Sequence, residues 1–353
     1  MKGKGMKERM QALVLESIGK LTYKTVDTPR PQMGQVLLRV HACGICGSDI
    51  PRVFQKGAHT MPLILGHEFA GRVTAVGEGV DKAALGRRAA VFPLMPCMQC
   101  DACRRENYAV CSHYNYYGSR CNGGFATYCA VDLWNCVWLD DRVTYEEGAM
   151  LEPAAVALHA LRRGGIKPGD AVGIAGAGPI GLMLAACAKS MGAKRVALWD
   201  IDPQKVAFAK DMGFEAALSG GGDMIERVAA QGGFDLAVEG AGVAQTLAQC
   251  LRLAKPMGRV VAMGNPAGDM ALGQGEYWEI LRKQLCVCGT WNADFSRHGP
   301  DDWKDAQCAI ADKTIDAGRF ITHRLPLSRG GEAFQMIYNK ETFCNKVMLA
   351  EED

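Results

Sequence analysis

The sequence predicts an α/β chain built from a doubly wound parallel sheet with helices on both faces and a second, partly closed antiparallel β-barrel. Three observations predict it. Strand-like and helix-like runs alternate from about residue 170 to 290, and short strands broken by Gly and Pro turns fill residues 10 to 140. A chain of 353 residues with 48% hydrophobic content is also long enough to bury two cores.

The opening MKGKGMKERM is basic and is followed by no apolar segment or small-residue cleavage site, so it reads as a disordered tail and not as a signal peptide. The barrel strands come next: QALVLES, KLTYKTVD, QVLLRV, GRVTAV, AAVFPL and FATYCAVD. Loops between such strands can carry residues far apart in sequence to one point.

Residues 43–71, CGICGSDIPRVFQKGAHTMPLILGHEFAG, supply what such loops would carry. A catalytic zinc takes about three protein ligands from Cys, His or a carboxylate and keeps one position open. Cys46 and His67 supply two, and Glu152, in MLEP just ahead of a Gly-rich turn, is the third. Its alternative is a carboxylate favoured only by a helix N-terminus. Ser48 either passes a proton from a bound hydroxyl towards bulk water or merely shapes the loop. Asp49 bonds the second ring nitrogen of His67, fixing its tautomer, or caps a helix beginning at Ile50. Glu68 either binds zinc directly or stands behind the ligands and balances the metal's charge; the second role with occasional coordination is the expectation. Cys43 forms a CxxC with Cys46 but reads as a buried strand cysteine.

Within the same region CMQCDACRRENYAVC spaces Cys97, Cys100, Cys103 and Cys111 by two, two and seven residues. Four thiolates can close a tetrahedron around zinc and leave no room for a substrate, which marks a structural site. An iron-sulfur cluster is the alternative for four thiolates.

After Glu152, VALHALRRGGI reads as a helix, and strands then alternate with helices: AVGIAG, GLMLAACAKSMG, RVALWD, PQKVAFAKDMG, EAAL, FDLAVEG, RVVAMG and LCVCGT. GAGPIG places Gly176, Gly178, Pro179, Ile180 and Gly181 between a strand and a helix, where bare backbone and unpaired helix amides can cradle a pyrophosphate. Asp200 follows Gly176 by 24 residues at the end of RVALWD. A carboxylate there accepts bonds from ribose hydroxyls and repels an extra phosphate, so NAD is the expected cofactor. DDWKDAQCAIADKTID then reads as a helix and NKVMLA as a strand.

Composition excludes several functions. Forty basic and 38 acidic residues leave a formal charge of +2 with no basic stripe, which argues against nucleic acid. Residues 171–188 carry no charge, yet Gly173, Gly176, Gly178, Pro179 and Gly181 interrupt them, so no membrane span of roughly 20 residues is expected. Fifteen cysteines without an export signal suggest a reducing cytoplasm in which clustered thiols hold metal.

These motifs together resemble the zinc-dependent medium-chain dehydrogenases over nearly the whole chain. Cys46 and His67 match that family's first two catalytic zinc ligands, and Glu152 stands where many simple alcohol dehydrogenases have a second Cys, as in the polyol dehydrogenase branch. The resemblance implies a Rossmann domain at 157–292 and a GroES-like catalytic domain at 1–156 and 293–353, with a structural zinc lobe at 95–113. It implies two zinc ions per chain, one catalytic and one structural, NAD, a polyol or polyol phosphate as substrate, and a homodimer or homotetramer. Ser48 matches the family's relay hydroxyl. Arg52, Lys56, His59 and Arg120 are candidates for a substrate phosphate, and Trp291 and Asn292 for facing the substrate. Zinc can lower the pKa of a bound oxygen from about 15.7 towards 7, worth roughly 12 kcal/mol at 1.36 kcal/mol per unit, so the metal would dominate alcohol oxidation.

Overall fold

The structure, a computed structural model, describes residues 8–219, 230–296 and 301–351. The chain divides into two compact units, Met1–Glu152 with Phe295–Asp353, and Pro153–Asp294.

The spine of the first unit is the strand Gln35–Ile45, whose apolar residues bury almost its whole length. It pairs antiparallel with Glu68–Val76, with Tyr128–Asp132 and with Lys346–Ala350. The expected strand NKVMLA therefore returns from the chain end to lie beside Gln35–Ile45 in a seven-stranded sheet. A separate three-stranded sheet joins Lys20–Asp27, Arg9–Ser17 and Leu63–Ile64, so the barrel is open. Its first strand corrects the reading of the opening segment as a tail. Arg9 and Met10 are in register with Asp27 and Val26, and Met10 is buried. Residues 1–7 lie outside the described residues.

Two short strands, Leu94–Met95 and Asn115–Tyr116, pair antiparallel and form the base of the four-cysteine lobe. The lobe's Tyr108 ring meets Trp134 edge-on, and Trp134 in turn meets Phe295. Ser296 Oγ donates to Glu106 at 2.6 Å.

The second unit is a six-stranded parallel sheet in the order Glu215–Leu218, Arg195–Asp200, Ala171–Ala175, Phe234–Glu239, Ala254–Ala262 and Cys286–Gly289. Such sheets bind ligands where the strand order reverses, at the carboxyl ends of the strands. Here the reversal falls beside Ala171–Ala175, whose five residues are all buried. Residues 171–188 resolve into that strand, a turn and the helix Pro179–Ser190. Among the described residues no helix is long and apolar enough to cross a membrane. The helix read from VALHALRRGGI begins earlier, at Leu151, which puts Glu152 in its first turn.

Candidate active site

The Cys46 and His67 loops meet at the same end of the first unit's central antiparallel strand pair, where Gly44 is in register with Glu68. Cys46 follows Gln35–Ile45 directly, and His67 precedes Glu68–Val76. One donor atom each from Cys46, His67 and Glu68 lies within 4.8 Å of the others. This spacing suits a single ion with soft and hard donors. Gly44 makes the approach possible, because a Cβ there would stand 2.3 Å from Glu68 Oε2.

The third ligand differs from the expectation in one respect. Glu152 stands outside the gathered group, although it is buried and feels the charges of both His67 and Glu68. Its Oε1 accepts from the Tyr116 hydroxyl at 3.2 Å. Glu68 is closer to Cys46 and His67 but is not a free donor. Lys346 Nζ reaches its two oxygens at 2.8 and 2.6 Å, in a pair almost wholly buried.

Asp49 is fully buried and presents Oδ1 to His67 Nδ1 at 3.5 Å, which leaves Nε2 for the metal. That contact is too long for a well-made hydrogen bond, and His67 Nδ1 has no hydrogen-bond partner. The alternative of a cap at Ile50 is not what forms. The short helix starts at Asp49, and Asp49 Oδ2 accepts instead from Cys46 N at 3.2 Å. Ser48 Oγ donates to Cys46 Sγ at 3.3 Å and accepts from Arg52 at 3.0 Å, so in this arrangement the hydroxyl serves the thiol.

Burial governs the electrostatics. It raises the Glu152 carboxyl to about 7, with Glu68 adding to the effect and His67 opposing it. Burial alone would lower His67, but Asp49 and Cys46 outweigh it and hold the imidazole well above its usual range. Burial likewise opposes the charge of Lys346, and Glu68 overcomes it. A divalent cation at this site would displace protons, since it needs His67 neutral and the Cys46 thiol and a carboxylate ionised.

The four lobe cysteines gather as tightly as their spacing promised. Cys100 Sγ lies 3.5 Å from Cys103 Sγ and 3.8 Å from Cys111 Sγ, and Cys97 lies 3.9 Å from Cys103. A zinc tetrahedron with bonds of about 2.3 Å has sulfur edges of about 3.8 Å. Four sulfurs mutually within 4.8 Å could hold one ion and leave no volume for a multi-iron cluster. Backbone amides of Cys103 and Ser112 pull the Cys100 thiol down to about 5, while burial pushes Cys103 up to about 12.

In the second unit Gly176 adopts φ +105°, and a Cβ at Gly181 would stand 1.9 Å from the Gly176 carbonyl oxygen. Gly178 has open space where its Cβ would stand, and the helix that Pro179 and Ile180 begin has no side-chain cap. That is an amide cradle suited to a pyrophosphate. Asp200 is tied into it, since Ala177 N donates to Oδ2 at 2.9 Å and Asp202 N to Oδ1 at 3.0 Å.

Two family models match: the alcohol dehydrogenase GroES-like domain over residues 32–141 and the zinc-binding dehydrogenase over 179–311. Galactitol 1-phosphate 5-dehydrogenase of Escherichia coli K12 is 36% identical across 82% of this chain and 85% of its own. The chain belongs to the zinc-dependent medium-chain dehydrogenases. Sorbitol dehydrogenase of Bacillus subtilis is 32% identical across 97% of both chains. The crystal structure of Escherichia coli galactitol-1-phosphate dehydrogenase matches with a TM-score of 0.90 at 33% identity, covering 97% of this chain and 100% of that one. A Sinorhizobium meliloti zinc-binding dehydrogenase bound to NADP matches at 0.88 with 30% identity, covering 98% and 100%. This dehydrogenase is thus an oxidoreductase of the polyol and alcohol group that uses zinc and a nicotinamide cofactor.

The remaining sequence candidates in the dehydrogenase divide. Arg52 leans on Ser48 and on Asp49 Oδ1 at 2.8 Å, and Arg120 lies over the Tyr114 ring and donates to the Tyr114 carbonyl at 3.2 Å. His59 is exposed, and its pKa is lowered by burial and then by Arg120 and Arg52, so two guanidinium charges act on one imidazole. Lys56 is exposed and has no assigned partner among the described residues. Trp291 is exposed and Asn292 takes φ +55°, both in the second unit. Two residues of the metal site were not read from the sequence. Lys346 had a usable signal, a charged residue in an otherwise apolar strand; Tyr116, one of three tyrosines in YNYY, had none.

Proposed function

We propose that this dehydrogenase oxidises a secondary hydroxyl of a sugar alcohol phosphate with NAD, galactitol 1-phosphate to tagatose 6-phosphate. The observation that carries the phosphate reading is that the charges of Arg120 and Arg52 both act on His59, with Arg52 bonded to Ser48 in the Cys46 loop; among the described residues Arg120 has no carboxylate partner. Charge-assisted bonds from guanidinium to phosphate are strong and often bidentate, and phosphate binding would favour protonated His59.

Cys46, His67 Nε2 and Glu152 are the proposed ligands of a catalytic zinc, which supplies the acidity that lets an alcohol lose its proton. Glu152 is preferred to Glu68 because Lys346 occupies both Glu68 oxygens while one Glu152 oxygen remains free of Tyr116. Asp49 orients His67, Glu68 balances charge with occasional coordination, and Ser48 takes up the substrate proton. Cys97, Cys100, Cys103 and Cys111 hold a second, structural zinc. Gly176, Gly178, Pro179, Ile180 and Gly181 would cradle the pyrophosphate of a nicotinamide cofactor that supplies the hydride acceptor, and Asp200 would select against an extra phosphate. A homodimer or homotetramer is the proposed assembly.

Dehydrogenation of an unphosphorylated polyol such as sorbitol is the second reading. It is favoured by the engagement of Arg52 with Ser48 and Asp49, which already explains that charge. NADH formation at saturating NAD with galactitol 1-phosphate and with sorbitol separates the two. The expected result is a higher kcat/KM for the phosphate ester, with Arg120→Ala raising its KM roughly 10-fold and leaving the sorbitol KM alone. Preference for free sorbitol would overturn the first reading.

A further inference from the structure

The half-buried Tyr116 side chain reaches into the metal site, where its hydroxyl touches one proposed ligand atom. Tyr116 Oη donates to Glu152 Oε1 at 3.2 Å, and the Tyr116 ring stands edge-on to the His67 ring with centroids 5.9 Å apart. A carboxylate has two oxygens that can each bind a metal, and Glu152 sits in the first turn of a helix. Fixing one oxygen by a hydrogen bond leaves the other as the only ligand atom on offer and sets the direction it faces.

The backbone that carries Tyr116 is itself fixed. Tyr116 is in register with Leu94 on the returning strand of the hairpin whose other end is the four-cysteine lobe, five residues beyond Cys111. Leu94 is fully buried, and the Asn135 amide donates to its carbonyl at 2.8 Å. The Tyr116 hydroxyl is thus delivered to Glu152 by a rigid strand.

We propose that Tyr116 is a positioning residue that holds Glu152 as a one-oxygen ligand of the catalytic metal, through the hydrogen bond from its hydroxyl to Oε1. The proposal rests on the reading of Glu152 as third ligand. Partners of this kind behind a metal ligand are worth about 10–100-fold in metal affinity or activity.

The test is chelator-driven zinc release and the visible spectrum of the cobalt-substituted enzyme, for wild type, Tyr116→Phe, Tyr117→Phe and Glu152→Ala. Tyr117 is the control, a neighbouring buried tyrosine whose hydroxyl accepts only from Asp132 N. The expected result is that Tyr116→Phe loses the more labile zinc about 10–100-fold faster and shifts the cobalt bands. Tyr117→Phe should do neither, and both variants should keep the lobe zinc, which reports an intact fold. If Glu152→Ala loses the labile zinc while Tyr116→Phe releases it at the wild-type rate with unchanged bands, the positioning role is overturned. If Glu152→Ala keeps that zinc at wild-type affinity, the ligand reading itself falls, and the proposal with it.

Discussion

The two thiol-bearing regions of the first unit solve opposite problems. The lobe draws four like ligands from 15 residues into a closed sulfur cage. The Cys46 site draws its proposed ligands, Cys46, His67 and Glu152, from more than a hundred residues and surrounds them with buried groups of both signs, Asp49, Glu68 and Lys346. A closed cage needs only local chain geometry, and its gain is folding energy. A site left open for a substrate needs long-range pairing, and its charges must be balanced by residues that never touch the metal. The difference teaches where each can be broken: the lobe through any ligand, the open site also through its partners.

The largest stability effect should come from the lobe. Cys111→Ser removes one wall of the cage and should cost about 4 kcal/mol or more, read as a drop in urea midpoint together with loss of one zinc. An unchanged midpoint would erase the distinction between a structural and a functional thiol cluster.

Lys346→Met sharpens the contrast by attacking the open site without touching a proposed ligand. It leaves the Glu68 carboxylate buried and unpaired, a change that costs about 3–5 kcal/mol. Denaturation of the zinc-loaded enzyme measures it, and the double variant Lys346→Met with Glu68→Gln should recover much of the loss. Equal stability of the single variant and wild type would mean the pair is not formed.

A smaller effect is expected from pH. With its pKa raised to about 7, Glu152 in the metal-free protein is protonated below that pH and must release the proton to bind zinc. Affinity of the open site should therefore fall as pH drops from 8 to 6, and competition with a chelator should show it. In Glu152→Gln one proton, about tenfold per pH unit, should vanish from the acidic end of that slope. The same proton without metal makes Glu152 a group whose folded pKa is raised. Its stability contribution is complete below about 4.5 and is lost as pH rises through about 7.

The same comparison explains what could be read in advance. The lobe was legible because its ligands are near neighbours and of one kind, and the dinucleotide turn because Gly176, Gly181 and Asp200 fall at fixed offsets in a strand, turn and helix pattern. Cys46 and His67 were legible through family resemblance. The ranking of Glu68 against Glu152 was not, because it depends on a lysine almost 280 residues from Glu68 and a tyrosine on another strand. The start of the first strand at Arg9 was hidden for a similar reason. Lysines and glycines precede Arg9 and Met10 in sequence, and it is pairing with Asp27 and Val26 that places these two in a strand.

Zinc content and NADH formation measured on the same Cys46→Ser preparation test the central claim most directly. The account predicts one zinc retained at the lobe, a folded protein and turnover of a polyol substrate lost by roughly 10³-fold or more. Two zinc ions retained with wild-type turnover would contradict it.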